Sequence, residues 1–148
     1  MAYKFRLEQV LHYHQSREEQ ALEELVQRQA ALEEETRRVE VLESEVDRML
    51  RNWREQSASQ INLRRLCSTY EYMVFLRQRL KYQEQVREQS AARVQEQRHR
   101  VKECWQQRKI MEKLQEKDYE EYTRELGRQE LCLSDELSLA SYRKGKAN

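Results

Sequence analysis

The chain has no proline and only two glycines, Gly127 and Gly145, among 148 residues. Sheet proteins need glycine and proline at turns every few residues, so this shortage excludes sandwiches, barrels and meanders. No apolar run approaches the ~18 residues of a membrane span, and no secretory leader pattern opens the sequence. The three cysteines, Cys67, Cys104 and Cys132, are an odd number with no C-x-x-C pair. They read as reduced thiols of a cytoplasmic protein rather than a disulfide framework. Catalytic vocabulary is missing as well. There is no glycine-rich phosphate loop and no G-x-S-x-G, and no Asp/Glu pair falls in a plausible cleft. His12 and His14 are two apart on a helix, point roughly 200° from each other, and cannot share a metal. The expectation is a non-enzymatic chain with no catalytic residue, no cofactor and no metal.

Charge is what the sequence has in quantity: 37% of residues are Asp, Glu, Lys or Arg, against 38% hydrophobic. Such a composition is that of long helices or coiled coil rather than of a thick globular core. The net charge is +1 but unevenly spread. Arg17 to Asp47 holds four basic and eleven acidic residues, whereas Arg48 to Lys109 holds fifteen basic and six acidic. The basic run of Arg64, Arg65, Arg77, Arg79, Lys81, Arg87, Arg93, Arg98, Arg100 and Lys102 lies near aromatics. It is compatible with a nucleic-acid-binding rod. The plainer reading is that it complements the acidic first segment.

The apolar residues recur by sevens. Leu11, Glu18, Leu25, Leu32, Val39, Val46 and Trp53 form one row, and Leu7, His14, Ala21, Arg28, Glu35, Leu42 and Met49 its companion. Together they step 4, 3, 4, 3, the core seam of a coiled coil. A second seam follows "SQIN". Its rows are read as Leu63, Tyr70, Arg77, Glu84, Ala91, Arg98, Trp105 and Leu66, Met73, Leu80, Arg87, Val94, Val101, Arg108. Between the seams lies the small, polar stretch "QSASQIN", with Asn62 placed to cap a second helix.

The predicted architecture is therefore all-α: a long antiparallel two-helix coiled coil, a helical hairpin of one domain spanning 1–148. Helix one covers about 4–55, the turn 56–62, and helix two about 63–140. A basic tail, 141–148, is expected to be disordered. If the chain reverses, Trp53 faces Leu66, Val46 faces Met73, and Glu35 faces Glu84 in a discordant layer. Helix two is the longer and overhangs the first, with Gly127 in the overhang as a point of fraying or bending. One unbroken helix dimerising through both seams is the alternative.

"TYEYMVFLRQRL", Thr69 to Leu80, gathers more apolar side chains than one partner helix covers. In the register above Met73 and Leu80 face the first helix, leaving Tyr72 and Leu76 four residues apart on an outer face.

Four stretches resemble the flagellar export protein family FliJ. They are the opening "YKFRLEQVLHYHQSREEQA" with Phe5, Leu7, Val10 and Leu11, and the segment carrying Tyr72, Leu76 and Leu80. "RKIMEKLQEKDYE" follows with Glu112, Lys113 and Leu114, then "QELCLSDEL" with Asp135 and Glu136. Cys132 and Leu133 depart from the family pattern, where a basic residue is common. The resemblance covers nearly the whole chain, and it rests on the order and spacing of degenerate motifs.

The resemblance implies the non-enzymatic central stalk and coupling component of the flagellar type III protein export apparatus. Its partners would be the hexameric export ATPase, the cytoplasmic domain of the export gate, and export chaperones with their substrates. It would sit in the cytoplasm, peripheral to the inner face of the cell membrane at the flagellar base, without binding nucleic acid. Phe5, Leu7, Leu11, Glu112, Lys113 and Leu114 would contact the ATPase ring, and Tyr72 and Leu76 the export gate. Three rivals stand beside this: a generic coiled-coil scaffold or homodimer, the equivalent stalk of a virulence-type III secretion system, and the nucleic-acid-binding rod.

Overall fold

The structure, a computed structural model, describes residues 2–60 and 62–147. Ile61 of the expected turn and Asn148 of the expected tail lie outside the described residues. Two long helices pack against each other in an all-α helical hairpin. They are α1, Glu8–Ala58, of 51 residues, and α2, Leu63–Lys146, of 84 residues.

The boundaries follow local chemistry. α1 starts later than the sequence suggests: Arg6 and Leu7 form a turn, closed by Glu8 N–H donating to the Phe5 carbonyl at 3.3 Å. At the start of α2, the Asn62 carbonyl accepts from Leu66 N–H at 3.0 Å, the bond an N-cap residue makes. α2 runs on through the expected tail as far as Lys146, carrying Arg143, Lys144 and Lys146 in its last turn, where cations suit the helix dipole. Nor is it interrupted at Gly127, since helical φ and ψ are open to glycine and nothing in the backbone departs from them.

The chain divides into two compact units, each taken by itself. The middle unit is Glu19–Lys102. Its interior is a file rather than a ball: Ala21, Val39, Met73, Leu76, Val94 and Gln97 are the buried side chains. On α1 the residues of the two expected rows turn inward, with Gln29, Thr36, Glu45 and Leu50 half-buried beside them. On α2 one row stands, with Met73 and Val94 buried and Leu66, Leu80 and Arg87 half-buried. Its companion is displaced by one residue. Thr69, Leu76, Gln83, Ser90 and Gln97 turn inward, whereas Tyr70, Arg77 and Arg98 stay exposed. The physical reason is charge. The expected companion row would desolvate Arg77 and Arg98, whereas the actual row is neutral throughout this unit; of the expected row, Glu84 and Ala91 are half-buried.

Several polar seam side chains bond across the helices. Gln97 Nε2 donates to the Ala21 carbonyl at 2.9 Å, Arg28 to the Arg93 carbonyl at 3.2 Å, and Thr69 Oγ1 to Gln56 Oε1 at 3.2 Å. Gln83 Nε2 donates to Glu35, so the discordant Glu35–Glu84 layer gives way to an amide–carboxylate pair. Trp53 meets Tyr70, with ring centroids 6.1 Å apart.

The terminal unit is Met1–Glu18 with Glu103–Asn148. Phe5, Leu11 and Met111 form its buried cluster, with Tyr3 packed against it. From Thr123 to Ala147 every side chain is exposed, apart from the position of Gly127. The end of α2 therefore has no covering partner of its own here.

Candidate functional site

Neither unit gathers three or more His, Cys, Asp or Glu side chains fit to hold a metal among the described residues. What the units present is surface, and the candidate sites are places where apolar side chains stay uncovered.

In the middle unit that place is the outer side of Thr69 to Leu80. Leu76 is not part of it. Its side chain is 2% exposed, buried against α1 because it belongs to the inward neutral row. Tyr72 is 40% exposed, and the uncovered apolar residue beside it is Phe75, at 53%. The two rings stack with centroids 6.4 Å apart and planes 26° from parallel. Tyr72 is also tied to α1, its hydroxyl donating to Glu45 Oε1 at 2.5 Å. That bond to a carboxylate, followed by partial burial, raises the Tyr72 pKa and keeps the phenol protonated. The bond fixes the ring and leaves its face outward. On α1, Val41 is exposed near the same carboxylate, and a groove lined by Glu34, Arg37, Arg38, Val41, Leu42, Arg79 and Gln83 continues the surface.

In the terminal unit the expected ring-contacting residues separate into two groups. Phe5 and Leu11 are core, 6% and 5% exposed, and hold α1 to α2 through Met111. Phe5 lies just before α1 and folds its ring onto Leu11, a helix-entry contact that removes it from solvent. Leu7, Lys113 and Leu114 are exposed. Glu112 is half-buried and occupied: it pairs with Arg108 and with Lys109 Nζ at 3.2 Å, and Arg108 in turn pairs with Glu18 of α1. The Lys109 bond, with Arg108 behind it, holds the Glu112 carboxyl below the ordinary range. The Glu18 bond pushes the Arg108 guanidinium still higher.

Sequence reasoning missed an aromatic cluster beside this network. Tyr3 packs on Tyr119 edge-on at 5.1 Å and on Tyr122 at 5.3 Å. Its hydroxyl donates to Asp118 Oδ2 at 2.9 Å and to the Gln115 carbonyl at 3.4 Å. Burial first, and the Asp118 carboxylate second, push its pKa up to about 12. Asp118, Tyr119 and Tyr122 lie within about one turn of α2, but Tyr3, ahead of α1, is far from them in sequence, and no local pattern links the two.

Charge does not behave as expected. Ion pairs of the middle unit join residues of the same helix, such as Arg37 to Glu34 and Arg100 to Glu96. None joins acidic α1 to basic α2 there among the described residues. The complementarity is long-range rather than contact, and basic side chains such as Arg79 and Arg93 remain exposed.

A hairpin of two long helices, zipped by a heptad seam and displaying aromatic surface, defines an all-α coiled-coil protein. The match is to the family described as flagellar FliJ protein, over residues 3–147 of the 148. The chain belongs to the FliJ family, whose members are non-catalytic components of flagellar type III export and protein transport. No curated protein matches the chain, and no solved structure does. Among the described residues no helix is long and apolar enough to cross a membrane.

Proposed function

We propose that this chain is the stalk and coupling factor of the export apparatus, working by contact alone. The terminal unit engages the hexameric export ATPase through Leu7, Lys113, Leu114 and the tyrosine cluster. The middle unit engages the cytoplasmic domain of the export gate through Tyr72 and Phe75, and the chain assists export chaperones in delivering their substrates. It acts in the cytoplasm, peripheral to the membrane through these partners. A stalk of this kind changes an ATPase only by binding some ring conformations better than others.

The observation that carries the reading is the stacked Tyr72–Phe75 pair, held outward by the Glu45 bond while the seam beneath is already filled by Met73 and Leu76. Aromatics left uncovered over a completed core are the usual carriers of interface energy. The test is a titration of the purified export ATPase with this chain, together with gate-domain affinity for wild type and for Tyr72→Ala with Phe75→Ala. The expected result is a raised hydrolysis rate, with gate binding weakened by ~2 kcal/mol or more in the variant. An unchanged rate at concentrations where binding is seen would reject the coupling role.

A further inference from the structure

The Tyr72–Phe75 surface does not end at the aromatics, and its charge says what kind of segment it receives. The groove next to it brings arginines from both helices together, Arg37 and Arg38 of α1 and Arg79 of α2, around Val41, with Glu34 as its one lining carboxylate. Arg37 and Arg38 share the Glu34 carboxylate at 3.2 and 3.6 Å, and Arg38 also reaches Glu35 at 3.2 Å. Glu35 is already engaged by Gln83 of α2. Arg79 is exposed and has neither a hydrogen bond nor an ion pair among the described residues. Guanidinium groups from opposite helices thus line one groove with too few carboxylates to pair them all, and like charges so placed oppose each other.

Resting on the reading of this patch as a partner site, we infer that its occupant is an acidic amphipathic segment. It seats an apolar side chain on Tyr72, Phe75 and Val41 and sets carboxylates against Arg79 and Arg38. The composition supports one such occupant. Tyr, Phe and Arg are the residues enriched at interface centres, and Arg offers carboxylates a planar, bidentate fork. A basic or neutral segment would leave the Arg79 charge unanswered beside a covered apolar surface, which costs binding energy. Carboxylates answer it and relieve the like-charge crowding.

The test uses the full chain and two labelled synthetic helical peptides. One carries leucines at helical spacing flanked by glutamates, and its twin carries lysines in their place. The glutamate peptide is expected to bind about tenfold tighter than the lysine twin, and to weaken as salt is raised. Arg79→Glu should cost about tenfold and Phe75→Ala a similar factor, with helical circular dichroism and melting unchanged in both. Equal binding of the twins, or indifference to Arg79→Glu, overturns the inference. So does tighter binding of a random single-stranded oligonucleotide than of the glutamate peptide. Light scattering that shows the wild type dimerising, and Phe75→Ala monomeric, overturns it in favour of a second copy of this chain. Gate-domain binding is measured alongside. If it is lost in Phe75→Ala yet untouched by Arg79→Glu and by salt, the acidic segment is rejected and the gate assignment stands. If it ignores Phe75→Ala, the gate assignment falls and the peptide result decides the inference.

Discussion

The two units are joined by the same two helices and held by different physics. The middle unit links α1 to α2 with single hydrogen bonds, Gln97 to Ala21, Arg28 to Arg93, Gln83 to Glu35 and Tyr72 to Glu45, and with no ion pair between the helices among its described residues. The terminal unit links them with charge, Glu18 to Arg108 and onward to Glu112, and with a phenol on a carboxylate, Tyr3 to Asp118. Its apolar cluster is local, Phe5, Leu11 and Met111, whereas the middle unit spreads six buried side chains along its length. A seam without ion pairs between its helices answers weakly to salt, and a seam held by ion pairs answers more strongly. The difference therefore predicts that the terminal unit is the more responsive of the two to salt and to acid.

The strongest way to break that comparison is inside the middle unit. Leu76→Ala removes a side chain that is 2% exposed, and a buried leucine truncated in this way costs about 2–5 kcal/mol. Its neighbour Phe75→Ala should stay within about 0.5 kcal/mol in melting, because that ring is over half exposed. Thermal melts followed by circular dichroism on the pair check both halves at once. Equal shifts would mean that Leu76 is not seam.

Next in size is the terminal charge network. Arg108→Met should cost about 1–3 kcal/mol, since it leaves Glu18 and Glu112, both largely shielded, without their shared cation. Each unit has one tryptophan, Trp105 in the terminal and Trp53 in the middle, so Trp53→Phe makes fluorescence report the terminal unit alone. Denaturant melts of that background, with and without Arg108→Met, should show the loss. The reciprocal background, Trp105→Phe, should show less of it.

Titration gives a smaller effect with two signs. The Glu112 carboxyl is depressed in the folded chain, so its contribution is present above the ordinary carboxylate pKa of 4.5 and lost as pH falls through the folded value. Tyr3 is raised from 10.0 to about 12, so its contribution is complete below pH 10 and lost between about 10 and 12, where only the unfolded phenol ionises. The terminal tryptophan should accordingly report loosening in acid below pH 4.5 and again in alkali above pH 10. In acid, a middle-unit signal that moved first would erase the distinction between the units; in alkali both should respond, because the Tyr72 phenol is raised as well.

The smallest change is at Gly127. A Cβ there meets nothing within 4 Å, so Gly127→Ala should add helix stability of about 1 kcal/mol or less, seen as slower amide exchange over the end of α2.

Helix count, the position of the link and both rows of α1 were legible because heptad spacing is a long-range signal repeated many times. One row of α2 was not, and the reason is instructive. Leu63, Tyr70 and Trp105 are large and apolar, so size favoured their row, yet Tyr70 and Trp105 are 56% and 45% exposed. Between two helices this closely paired, the inner positions take Thr69, Ser90 and Gln97, neutral side chains that fit or find a partner. Counting charges rather than apolar area would have chosen correctly, because the discarded row holds Arg77, Glu84 and Arg98. The misplacement of Leu76 as a surface residue follows from that single choice. The tyrosine cluster was hidden for another reason: Tyr3 and Tyr122 are far apart in sequence, and only the hairpin brings them together.

Gln97 has a mechanical consequence. It is 1% exposed, gives one amide hydrogen to the Ala21 carbonyl, and leaves its own Oε1 without a partner. Only an alanine opposite leaves room for that amide to reach the backbone. If α2 slid by one heptad, Gln97 would meet the side chain of Arg28 or His14 and lose its acceptor, adding an unmet amide donor to the already unpartnered Oε1 at a cost of about 1–3 kcal/mol. The pair works as a key in a keyway. It forbids axial slip, so a twist or thrust applied to one helix is carried by the other without being lost to sliding.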